Sequence, residues 1–201
     1  MAEWNHLRVG MRDLPHEAED EVRLLVTENH RITMRGIQQS EHEMVRYLRK
    51  VLAQEDKEII ASEVSRAQFY YEDLRRAANH MALVSLVTRL EHWTRKFVKQ
   101  LPPNTELTAN KRKPYIVRAM EALNTHLGRP PVDVQFFEDL VTARNAVVHH
   151  DSTTEWDFNG RRSVAARYND CGDLNFTNDH LTEATKKVTA QVKWYDEQLR
   201  Q

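Results

Sequence analysis

Cysteine is almost absent. Cys171 stands alone, so neither an intrachain disulfide nor a cysteine-based zinc cluster can form, and a reducing, cytoplasmic setting is expected. Long apolar runs are missing too: none approaches the length of a bilayer-crossing helix, which predicts no membrane partner. The opening MAEWNHLRVGMRDLP has no basic stretch followed by an apolar one, the pattern that would mark export. Charge of one sign is not in excess, with 29 Lys and Arg against 30 Asp and Glu, so any site for a polyanion must be local.

Glycine and proline are scarce as well, at five and six residues, and neither occurs between Ile37 and Leu101. That gap reads as helix, and the whole chain reads as all-α. Acidic residues after Pro15 suit a helix N-terminus, where negative charge meets the positive end of the dipole; Gly36 is expected to end or kink this helix. Met44, Val45, Leu48, Val51 and Leu52 mark a second helix, and Glu55-Asp56-Lys57 a turn. A third runs from about Glu58 to Ala78 and could continue unbroken into the strongest apolar stripe, Leu83 to Leu101, with Asn79-His80 the only plausible break. Pro102-Pro103 stops that stripe.

Further helices are expected over Pro114 to Leu127, from near Asp133, and from a cap at Thr177 or Asn178 through Leu199. Residues 151–176 lack helical period and read as a long surface loop, with a hairpin over Val164 to Phe176. The chain length suits one domain with a helical extension: residues 1–55 as an N-terminal helical extension, residues 56–201 as the helical core.

The segment Arg144-Asn145-Ala146-Val147-Val148-His149 concentrates the chemistry. On a regular helix Phe137, Leu140, Val141 and Val148 share an apolar face, and Arg144 falls in its middle. A guanidinium stays charged, so one turned inward needs a carboxylate, a phosphate or carbonyl oxygens, and Glu91 is the candidate partner within the chain. The plain alternative is an arginine at the core edge, paired to Glu91 or reaching out to water. Asn145 and His149 share a face, but His149 lies about 140° around the helix from Arg144. Either the helix unwinds at His149-His150-Asp151-Ser152, or a second copy of the chain completes the site across a dimer interface.

This segment resembles the Arg-x4-6-His signature of the HEPN (higher eukaryotes and prokaryotes nucleotide-binding) superfamily, in its form R-N-x-x-x-H. The resemblance covers about Lys57 to Gln201: Leu90-Glu91 on an amphipathic helix, a later helix ending in the motif, a variable loop and a final helix. Spacing alone recurs at Arg23/His30, Arg35/His42 and Arg75/His80; the polar residue after the arginine, the Val147-Val148 filler and the terminal histidine set Arg144 apart.

The resemblance implies an up-and-down helical bundle and metal-independent RNA cleavage without a cofactor. Arg144 would neutralise phosphate charge, and His149 would move protons at the ribose 2′-hydroxyl or the leaving oxygen. Asn145 would orient these groups, and Glu91 would hold the arginine. His150 also fits the spacing and stands as the alternative imidazole. Arg161, Arg162 and Arg167 in the loop are candidate RNA contacts, with Tyr168 for stacking; the alternative is that they are solvated loop residues.

Implied partners are RNA, a second copy of the chain, and a protein antitoxin or nucleotidyltransferase. Some family toxins are silenced by nucleotide attachment to a tyrosine two residues after the histidine; here that position is Asp151. Two other readings stand beside this one: a non-catalytic module of the same fold binding nucleotide, RNA or protein, and a metal phosphohydrolase built on His149-His150-Asp151. The second lacks partner ligands at helical spacing.

Overall fold

A computed structural model describes residues 17–105, 107, 113–128, 133–149 and 176–200. The protein is an all-α bundle, with no strand among the described residues. Helix α1 (Glu17–Val22) passes through a π-helical segment (Arg23–Glu28) into α2 (Asn29–Val51). Then follow α3 (Lys57–Val98), α4 (Tyr115–His126), α5 (Val134–His149) and α6 (Asn178–Leu199). The hairpin expected over Val164 to Phe176 lies outside the described residues except for Phe176. No helix among the described residues is long and apolar enough to cross a membrane.

Gly36 does not end the first helix, because α2 runs through it to Val51 and absorbs the expected second helix. A glycine inside a helix costs about 1 kcal/mol against alanine. Packing of α2 along α3 offsets that cost: Glu41 holds Arg75 at 2.6 Å, and His30 Nε2 lies 2.8 Å from Asn79 Oδ1 in a buried pair. That second contact explains why Asn79-His80 does not interrupt α3. The Asn79 amide, which elsewhere would compete for the helix backbone, is committed to the neighbouring helix instead.

The core draws on every described helix except α2. Val22 and Val26 from α1 and the π segment meet Leu83, Leu86, Val87 and Leu90 of α3, Met120 and Leu123 of α4, Phe137 and Leu140 of α5, and Val188 and Val192 of α6. Residues 18–26 thus belong to the same core as the helices from α3 onward. Glu21 fixes the α1 side by taking Arg89 Nη1 at 2.6 Å and Trp93 Nε1 at 2.7 Å. Beyond the His30–Asn79 pair, α2 and the first half of α3 form a two-helix arm whose most buried side chains are Val64 and Tyr71.

Local signals set the other helix ends. Gly128, at φ +65°, sits just past α4 in the left-handed conformation that glycine adopts without strain. Thr177 caps α6 reciprocally: its hydroxyl accepts from the His180 amide, and its own amide donates to His180 Nδ1 at 3.1 Å.

Candidate functional site

α5 starts where the Asp133 carboxylate accepts from the Phe136 amide at 3.2 Å, and it buries Phe136, Phe137, Leu140, Val141 and Ala143. Arg144 follows at the edge of that face, with 22% of its side chain exposed. Val148 departs from expectation: it is 45% exposed, while Val147 turns toward the core. The buried stripe is centred toward Leu140, so Val148 falls on its outer margin in the last turn. Asn145 is half-buried.

Arg144 Nη2 donates to Glu91 Oε2 at 3.4 Å, joining α5 to α3. The contact is long, and Arg144 Nε is buried without a hydrogen-bond partner among the described residues. Glu91 is shared. Its other oxygen accepts from Arg95 Nη2 at 2.6 Å and Arg95 Nε at 3.2 Å, across one turn of α3. This hydrogen bonding to Glu91 holds the Arg95 guanidinium above its ordinary pKa. Arg95 also lies over the Tyr115 ring, 4.8 Å from its centroid.

Two guanidinium groups therefore share one carboxylate, and the shorter bonds go to Arg95. The cluster carries net positive charge, with its least satisfied donor at Arg144 Nε. Such an arrangement is receptive to an oxyanion, which can fill an arginine fork that a carboxylate meets at one corner only. Arg95 is the member that reading for an Arg144 partner passed over. Its signal was present all the same, since Glu91 and Arg95 stand at the acid-then-base i, i+4 spacing.

The structure brings Arg144 and Glu91 together, while Asn145 follows on α5 about 100° around the helix from Arg144. The backbone stays helical through His149, the last residue of α5, but its side chain lies outside the described residues. His150, Arg161, Arg162, Arg167 and Tyr168 also lie outside them. Among the described residues no three His, Cys, Asp or Glu side chains converge as metal ligands. Comparison with protein-family models, with curated proteins and with solved structures returned no match for this chain.

Proposed function

We propose that the chain is a HEPN-type endoribonuclease that cuts RNA without a metal. In this reading it serves as the toxin of a toxin–antitoxin or phage-defence system and works as a homodimer. A protein antitoxin or a nucleotidyltransferase would hold it in check. The observation that carries the reading is the under-satisfied Arg144 guanidinium, in an R-N-x-x-x-H segment, facing Glu91 of the long core helix.

The chemistry follows from these groups. The ribose 2′-oxygen attacks the adjacent phosphorus, its proton passing to an imidazole. The bond from phosphorus to the 5′-oxygen breaks, and that oxygen takes up a proton. Products end in a 2′,3′-cyclic phosphate and a 5′-hydroxyl. His149, or His150 in its place, supplies the imidazole, which titrates in the right range. Arg144 stabilises charge growing on the non-bridging oxygens through its planar fork. Glu91 and Asn145 position it. Because α5 is helical through His149, the 140° between Arg144 and His149 favours completion of each site by a second copy over unwinding of the helix end.

Purified protein incubated with RNA in EDTA tests this. Cleavage leaving cyclic phosphate ends, lost in Arg144→Ala and His149→Ala proteins, is the expected result; equal cutting by parent and variants would overturn it. The second reading, a non-catalytic module of the same fold, draws on the exposed apolar side chains of the arm, such as Phe69 and Ile32. RNA binding without cleavage, and expression without growth arrest, would favour it.

A further inference from the structure

The arm carries its charge unevenly. Arg31, Arg35, His42, Arg46 and Arg49 of α2 are all exposed and fall within about 60° of one another around the helix, forming a stripe about 27 Å long. Of the carboxylates nearby, Glu41 is taken by Arg75 of α3 at 2.6 Å, whereas Glu28 pairs with Arg31 of the stripe itself at 2.8 Å and Glu43 accepts from the neutral Gln39 amide at 3.0 Å. Arg35 and Arg49 have no carboxylate partner among the described residues, and Arg46 donates only to His42 Nε2, at 3.2 Å. In a chain whose total charge is −1, Arg35, Arg46 and Arg49 outweigh Glu43 and make a local positive field.

The stripe also has depth. At its inner end Arg31 and Arg35 border a groove of about 580 Å³ whose other side is α6, with Asn178, Thr182 and Lys186. Half-buried Met34 adds apolar surface, and a shallower depression, which Glu43 also lines, continues past His42 to Arg46. The π-helical segment reaches the groove through Thr27; such segments interrupt helices mostly where function needs them.

We infer that this groove and stripe bind the backbone of single-stranded RNA, feeding the strand to the protein independently of Arg144. Arginine forks at helical spacing suit successive phosphates, and the side-chain amides of Asn178 and Gln38 can donate to phosphate or sugar. Half-buried Met34 offers an unpaired base an apolar contact that a duplex would not use. The choice of RNA rests on the ribonuclease reading; the polyanion site itself does not.

The test is binding of a labelled, unstructured single-stranded RNA, followed by fluorescence anisotropy across a salt series in EDTA, with Arg144→Ala in every protein to prevent cutting. Replacing Arg35, Arg46 and Arg49 together by glutamine should lower the slope of log affinity against log salt by about 2, at about 0.7 per lost phosphate contact. Arg46→Gln alone should lower it by about 0.7, which keeps the test decisive if the triple variant folds poorly. An unchanged slope, no binding by the parent, or equal binding of polyglutamate would each overturn the inference. RNA binding with the expected slope change but no cleavage by native protein would sink the ribonuclease reading and keep this one. Cleavage with a KM unmoved by the triple variant would do the reverse.

Discussion

Arg144 is the residue on which the functional account turns, because it reaches Glu91 through one nitrogen at 3.4 Å and leaves Nε without a partner among the described residues. A side chain kept only for packing would be matched as well by lysine or methionine. One that waits for a phosphate would not, since lysine offers a point charge where the fork offers paired donors. Arg144→Ala should therefore lower the rate of RNA cleavage by roughly 10²- to 10³-fold, the range for losing one charge-stabilising donor, and Arg144→Lys should recover little of it. Single-turnover rates on an oligonucleotide would check both. Arg95→Gln probes the sharing of Glu91: with its nearer partner gone, Glu91 should close on Arg144 and neutralise it. Slower cleavage by a protein with an unaltered circular dichroism spectrum is the expected outcome, and an unchanged rate would show that Glu91 is not divided between the two.

At the scale of elements, the long rods explain both stability and the mistakes of reading by punctuation. Glycine at 36 looked like a helix end because the helix-breaking tendency of one residue was weighed without the partner helix. The contacts that carry α2 through it, His30 to Asn79 and Glu41 to Arg75, link residues 49 and 34 positions apart and are invisible to local pattern. Gly36 has nothing within 4 Å of a would-be Cβ and no positive φ. Gly36→Ala should raise stability by about 0.4–1 kcal/mol in chemical denaturation, with the midpoint moving and the slope unchanged. By contrast Glu21→Ala strips a carboxylate from Arg89 and Trp93 at once. It should cost about 1–3 kcal/mol and loosen α1 first, visible as faster amide exchange there.

Helix ends and stripes at the core were legible where local chemistry decides them. Thr177, Gly128, Pro102 and the Leu83-to-Leu101 periodicity all act through their immediate neighbours. The Glu91 contact with Arg144 was legible too, since a charge on an apolar face demands a partner. The π segment at Arg23–Glu28 was not, because nothing in its composition separates one extra residue per turn from a regular helix. The basic stripe of α2 was readable in the spacing of its arginines. The near-zero net charge hid it, since a balanced total says nothing about which face each charge occupies.

For the whole molecule, the ribonuclease reading must explain how Arg144 and His149 could act together from positions about 140° apart around a regular helix. In the proposed reading, two-fold pairing of chains would answer it by letting each copy supply one of the two. If so, Arg144→Ala and His149→Ala proteins, each inactive alone, should regain about a quarter of the parent activity when mixed and allowed to exchange subunits: half of the dimers are then mixed, and each holds one intact site. No recovery on mixing, with exchange demonstrated by labelled subunits, would place both groups within one chain.

The most direct measurement is cleavage itself: purified parent and Arg144→Ala proteins, prepared side by side, incubated with a defined RNA in excess EDTA, the products resolved and their ends identified. The account predicts fragments ending in 2′,3′-cyclic phosphate from the parent and intact RNA from the variant. RNA left whole by the parent, or cut equally by both, would contradict it.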